Sequence, residues 1–173
     1  IVTVDAWGRG ESKTVLASGE RGWHFWPVWS PDGKRIAWSD SSQTLWVAAA
    51  DGSSAPKQVD KSDVSEIRDY SWSPDGRYLS YSKNNVLDYA AVWIWDSQTG
   101  EPHRVTSEST DDHSPTWDPE GRYLYFVSQR ATNPLIGNRD FEVVEVRNSR
   151  LMLVLLRDDV DNPFADDAGV PGA

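Results

Sequence analysis

The stretch Trp29-Ser30-Pro31-Asp32-Gly33-Lys34-Arg35-Ile36-Ala37-Trp38-Ser39 decides the fold, because the chain carries it three times. Trp72-Ser73-Pro74-Asp75-Gly76-Arg77-Tyr78-Leu79-Ser80-Tyr81-Ser82 aligns with it without a gap, and so does Trp117-Asp118-Pro119-Glu120-Gly121-Arg122-Tyr123-Leu124-Tyr125-Phe126-Val127. The copies start 43 and 45 residues apart, the length of one four-stranded propeller blade. Ser-Pro-Asp-Gly suits a type I turn, since proline presets φ at the second position and glycine accepts the strained fourth. After each turn Ile36 and Trp38, Leu79 and Tyr81, and Leu124 and Phe126 recur at spacing two, the period of a strand. The other face, with Ala37, Ser80 and Tyr125, is not consistently polar. That pattern suits sheets stacked face to face with both faces covered.

A second hairpin follows in each unit. Thr44 to Ala48 leads to a turn at Asp51-Gly52 and then Lys57-Gln58-Val59. Ala91 to Trp95 leads to a turn at Gln98-Thr99-Gly100 and then His103 to Thr106. The N-terminus repeats this half alone: Ile1 to Asp5, a turn at Gly8 to Gly10, then Thr14 to Ala17. The third unit is irregular, with Phe141 to Val146 and the apolar run Leu151 to Leu156, whose six residues favour a buried strand over a helix. The expected fold is therefore all-β: a partial β-propeller of about three four-stranded antiparallel blades plus half a blade. The propeller fragment spans 1–157, divided into a half-blade at 1–18 and blades at 23–60, 68–107 and 113–157. Residues 158–173 hold five Asp and no basic residue and read as an acidic linker or disordered tail. Propellers close with four to eight blades, so this stretch is expected not to close alone. It reads as beginning in mid-blade, with open blade edges that favour self-association.

Composition narrows the function. The 173 residues carry 17 basic and 27 acidic side chains, a formal charge of −10. Such a surface repels phosphate backbones and anionic lipid, which argues against nucleic-acid and membrane-surface partners. The absence of cysteine excludes disulfides, thiolate metal sites and cysteine nucleophiles. No apolar run is long enough to span a membrane, and Ile1-Val2-Thr3-Val4 lacks the features of a signal peptide. Ten Trp, six Tyr and four Phe supply the core.

Catalytic sets are not evident. The chain has no Gly-x-Ser-x-Gly elbow, no His-Glu-x-x-His and no P-loop. His24, His103 and His113 lie far apart. His24 sits in Gly22-Trp23-His24-Phe25-Trp26-Pro27, where a packed or rim histidine is expected rather than a peptide-facing one. Asp111-Asp112-His113-Ser114 invites a triad reading, but neighbours in one stretch do not reach triad geometry, so a structural bond between strands is expected. Asp158-Asp159, Asp161-Asn162 and Asp166-Asp167 lack the ligand spacing of a calcium loop. No catalytic, metal or cofactor residue is therefore assigned. Trp29, Trp72 and Trp117 occupy one repeat position, as do Trp38, Tyr81 and Phe126, and Trp46 and Trp93 roughly align; these are read as blade packing. Of the remaining Trp7, Trp23, Trp26 and Trp95, Trp23 and Trp26 are the candidates for an exposed rim patch.

The repeat resembles those of TolB-like propellers, relatives of the WD repeat, over about residues 1–130. The later residues Phe126-Val127-Ser128-Gln129-Arg130, Asn133-Pro134, Phe141, Leu155-Leu156-Arg157-Asp158 and Asn162-Pro163-Phe164 resemble the exit of the second propeller of tricorn proteases. That resemblance implies a large cytoplasmic serine peptidase with two propellers, a PDZ-like domain and a catalytic core, this segment being a non-catalytic part of a channel that filters peptides. Its partners would be peptide substrates, the remaining blades and the protease core. Channel-lining residues depend on blade closure and are left unassigned. Two alternatives remain: a TolB-like protein-binding scaffold, or the propeller lid of a prolyl-oligopeptidase-type enzyme.

Overall fold

A computed structural model describes residues 1–4, 10, 12–15, 22–130, 134–136, 143–145 and 149–164. Among them there are strands and no α-helix. Strands β1 (Val2–Thr3) and β2 (Lys13–Thr14) form an antiparallel pair with Val2 opposite Thr14. The first full sheet runs β3 (His24–Trp29), β4 (Arg35–Asp40), β5 (Thr44–Ala49) and β6 (Lys57–Lys61), in that spatial order. The second repeats it with β7 (Arg68–Trp72), β8 (Tyr78–Asn84), β9 (Ala90–Asp96) and β10 (Pro102–Arg104). The third begins with β11 (Asp111–Trp117) and β12 (Tyr123–Gln129). A separate hairpin, β13 (Pro134–Ile136) with β14 (Val143–Glu145), then intervenes before β15 (Ser149–Leu155) completes a three-stranded sheet against β12. The architecture is the all-β, antiparallel, open propeller segment that the repeat implies. Trp7, Gly8 and Arg9 of the expected turn, Asn133, Phe141 and residues 165–173 of the acidic tail lie outside the described residues.

The repeated turns are built as their sequence requires. Gly33, Gly76 and Gly121 sit at φ of 67°, 70° and 68°, a region a Cβ makes costly. The Ser30 hydroxyl donates to the Asp32 carboxylate at 2.6 Å and accepts from the Arg35 amide at 2.9 Å. Ser73 does the same with Asp75 and Tyr78. In the third copy Asp118 replaces the serine. Its carboxylate accepts directly from the amides of Glu120 and Arg122, both at 3.2 Å.

Large residues after each turn face the preceding sheet. Ile36 and Trp38 pack with Val15 of the N-terminal hairpin. Leu79 and Tyr81 pack against Leu45, Val47 and Val59 of the first sheet. Leu124 and Phe126 pack against Val92 of the second. The opposite face is small where another sheet must approach: Ala37 and Ser80 are both fully buried. Tyr125 takes that position in the third sheet. There the chain turns back, with the Leu156 amide donating to Arg122 O at 3.0 Å and the Tyr123 hydroxyl donating to Asp161 O at 2.9 Å.

The repeat tryptophans bolt sheet to sheet. Trp72 Nε1 donates to Val28 O at 3.3 Å, and Trp117 Nε1 donates to the equivalent Ser71 O at 3.1 Å. Arg35 lies 4.9 Å from the Trp72 ring centroid and donates to Gly76 O at 2.5 Å. Tyr78, which holds Arg35's place in the next repeat, stacks on Trp117 at 6.3 Å and 21°. Trp29 departs from this pattern. It is 46% exposed and borders a 590 Å³ cavity shared with Thr3, Val4 and Lys13. Only β1 and β2 lie on that side among the described residues, and they carry no counterpart of Arg35 or Tyr78.

Candidate functional site

Antiparallel strands alternate between two ends of the sheets, which sorts the loops. The Ser-Pro-Asp-Gly turns occupy one end. The starts of β3, β7 and β11 occupy the other, together with loops 41–43, 62–67, 85–89 and 105–110. The first strands of neighbouring sheets also meet each other. Tyr70 donates its hydroxyl to Phe25 O and Trp26 O at 2.9 and 2.7 Å, and accepts from the Ser39 amide at 3.1 Å. Burial pushes the Tyr70 hydroxyl above the usual tyrosine range, which keeps it a donor. Ser71 Oγ donates to Pro115 O at 3.2 Å, and Ser114 Oγ reaches Asp69 Oδ2 at 3.4 Å. β3, β7 and β11 therefore form the inner rim, and β6 and β10 the opposite sheet edge.

Each rim strand contains the same irregularity. Register is lost between Phe25 and Val28, between Arg68 and Ser71, and between His113 and Thr116. Two residues oppose one at each place, which is a β-bulge. The first bulged residue is left-handed every time: Trp26 at φ 50°, Asp69 at 55° and Ser114 at 56°. Each stands three residues before a repeat tryptophan, and each is exposed. The repeat reading missed these positions. The available signal was Pro27 and Pro115, directly after two of the bulged residues, since proline inside a strand points to an edge or a bulge.

Between the rims of the second and third sheets lies a 410 Å³ cavity bordered by Glu66, Arg68, Asp69, Asp88, Asp111 and His113. Its carboxylates are held in place. Glu66 accepts from Ser39 Oγ at 2.9 Å, Asp88 from Asn84 Nδ2 at 2.7 Å, and Asp111 from the Ala90 amide at 3.0 Å. The Asp111 bond joins two sheets, as the strand-bonding reading of that stretch expects. Asp112 is fully buried, accepting from Thr110 Oγ1 at 2.8 Å with Arg130 Nη2 3.5 Å away.

His113 Nδ1 lies 3.0 Å from Ser114 Oγ, and Ser114 in turn meets Asp69. The order carboxylate, hydroxyl, imidazole puts the serine in the middle. A nucleophilic triad needs the imidazole in the middle, held from behind by the acid. Among the described residues no carboxylate bonds the His113 ring. The other histidines are apart from this set. His24 is half-buried at the start of β3, its Nδ1 buried with no hydrogen-bond partner among the described residues; His103 is exposed on β10. Asp159 pairs with Arg157, and Asp161 meets Tyr123 through its backbone. Among the described residues no three His, Asp or Glu side chains converge to hold a metal ion.

The tryptophans divide sharply. Trp23 and Trp26 are 77% and 69% exposed beside the first rim strand. Trp95, which the repeat pattern leaves free, is buried and meets Trp72 edge-on at 6.4 Å.

These features define an open propeller segment with a bulged inner rim. The family model described as "Tricorn protease second beta propeller domain" matches residues 2–169, and the chain belongs to that family. The tricorn protease homolog of Saccharolobus solfataricus is 32% identical over 119 residues, covering 66% of this chain and 11% of that protein. The tricorn protease of Thermoplasma volcanium is 27% identical over 157 residues, covering 87% of this chain and 15% of its own length. A crystal structure of the tricorn protease superposes with a TM-score of 0.79 at 17% identity, over 96% of this chain and 17% of that one. The chain thus spans well under two thirds of the curated relatives it matches.

Proposed function

We propose that this chain is a non-catalytic part of a peptide conduit in a tricorn-type serine peptidase, guiding peptides toward a protease core elsewhere in the larger protein. The observation that supports the reading is the inner rim: three first strands meet along one line and leave the side chains at equivalent positions, Trp26, Asp69 and Ser114, exposed. The proposed partners are peptide substrates, further blades and the protease core, and the proposed location is the cytoplasm. The chain itself contributes passage and selection, not bond cleavage.

The test places a plug at the rim. Ser114→Cys in the full-length protein, coupled to a thiol-reactive polymer, is expected to slow hydrolysis of long peptides more than that of a short fluorogenic one. Equal turnover of long peptides before and after coupling would refute the conduit.

A further inference from the structure

Trp26, Asp69 and Ser114 share one repeat position, one bulge and one strained backbone state. A bulge whose first residue is left-handed ordinarily uses glycine, which enters that region without strain. Here three chemically different side chains occupy it instead. Burial does not account for them, because all three are exposed. Their partners are few: Asp69 Oδ2 meets Ser82 Oγ and Ser114 Oγ, both at 3.4 Å, and Ser114 meets His113. Strain held at exposed non-glycine residues collects where a side chain contacts a ligand.

We propose that Trp26, Asp69 and Ser114 form a contact row that grips an extended peptide bearing basic and apolar side chains, a role that rests on the conduit reading above. The indoles of Trp26 and Trp23 offer a flat apolar surface to an aliphatic or aromatic side chain. The Asp69 carboxylate accepts from a peptide amide, and the Ser114 hydroxyl can donate to a peptide carbonyl. The ligand's charge follows from the adjoining cavity. Glu66, Asp69, Asp88 and Asp111 face it against the single guanidinium of Arg68, and the whole chain carries −10. A lysine or arginine side chain is attracted there and an acidic one repelled. The bulges also bar the competing mode of capture. They break the straight edge of each rim strand, so a peptide does not add to it as a further strand and side-chain contacts must hold it.

Trp26→Gly, Asp69→Gly and Ser114→Gly, singly and together in the full chain, separate strain from recognition. Each is expected to raise the urea midpoint, because it relieves a left-handed L-residue. Binding is followed by anisotropy of a labelled, unstructured Gly/Ser peptide with a Lys-Leu-Lys centre. The triple variant is expected to weaken it by about ten-fold, the loss of one strong contact. A matched peptide with a Glu-Leu-Glu centre is expected to bind the unmodified protein far more weakly. A side chain with a merely structural role would lower stability on removal and leave binding alone. Higher midpoints with unchanged peptide affinity would overturn the contact row. Lower midpoints in the glycine variants and in Asn replacements, which also tolerate the left-handed region, would overturn the strain argument. Equal affinity for both peptides would overturn the charge preference. If the unmodified protein binds neither peptide while the Ser114 plug still blocks long substrates, the contact row fails and the conduit stands; an ineffective plug fails the conduit itself.

Discussion

Replacing the repeat tryptophans one at a time measures how the sheets are joined. Trp72 is 7% exposed; its indole donates to Val28 O and lies under Arg35. Truncation to alanine removes about 200 Å² of buried apolar surface, worth about 5 kcal/mol at 25 cal/mol per Å². Incomplete burial and local relaxation lower that figure, while the lost hydrogen bond and cation–π contact add about 1 kcal/mol each. The expected cost of Trp72→Ala is about 4–5 kcal/mol, at the upper end of large-to-small core substitutions. Trp29 holds the same repeat position but is 46% exposed, with no equivalent bond or cation–ring contact among the described residues. Its truncation is expected to cost about 2 kcal/mol. Trp72→Phe keeps a ring beneath Arg35 and loses only the N–H, for about 1–2 kcal/mol. Urea unfolding followed by far-UV circular dichroism gives the comparison without relying on indole fluorescence, which the other nine tryptophans dominate. If Trp29→Ala and Trp72→Ala cost the same within about 0.5 kcal/mol, the sheet-to-sheet bonding described here does not carry the stability assigned to it.

Two further ion-pair predictions concern the joints and the outer turns. Arg77 grips Asp96 through Nε at 3.2 Å and Nη2 at 2.6 Å, and this bond holds the Asp96 carboxyl at about 2. An unfolded aspartate titrates near 4, so the bond's contribution is complete above about pH 4 and is lost as pH falls toward 2. Asp96→Asn is expected to flatten the fall of the urea midpoint across that window, and an unchanged slope would contradict the assignment. Asp60 Oδ2 accepts from Tyr81 Oη at 2.7 Å and Lys83 Nζ at 2.6 Å, joining β6 to β8, while Lys83 lies 4.2 Å from the Trp93 ring centroid. Asp60→Ala is expected to cost about 2–3 kcal/mol because it strands both donors, and Tyr81→Phe about 1 kcal/mol; a neutral Asp60→Ala by urea titration would sink that reading.

What could be read from the chain and what could not divides by range of interaction. The turn chemistry of Ser30 to Gly33 and the pairing of Ile36 with Trp38 are local, so spacing alone exposes them. The fate of Trp29 is not local. Its repeat position predicts packing, but packing needs a neighbour that brings an Arg35 or a Tyr78, and among the described residues the side of the first sheet that Trp29 faces has neither. Trp95 shows the converse: no repeat marks it, yet the edge of Trp72 buries it. The bulges hid for a third reason. Two residues opposing one shift the face of everything before them, so Trp26, Asp69 and Ser114 look like ordinary members of alternating strands. Only the prolines at 27 and 115 break the pattern visibly, and in the second sheet Tyr70 replaces proline at that place.

Tyr70 also explains how the rim keeps its form. A bulge opens the ladder and leaves a carbonyl to satisfy. In the first sheet the carbonyls of Phe25 and Trp26 are taken by the Tyr70 hydroxyl from the neighbouring strand. In the third, Pro115 O is taken by Ser71 Oγ. The first and third bulges thus each contribute an acceptor that ties their strand to β7, the rim strand between them, while their first residues stay exposed. The irregularity that spoils a rim edge for strand pairing is the same one that fastens the sheets together. The conduit proposed above would need both properties: edges that do not capture a β-strand, and walls that do not part when a chain goes by. A straight rim strand would supply neither, since its free amides and carbonyls would template the passing chain.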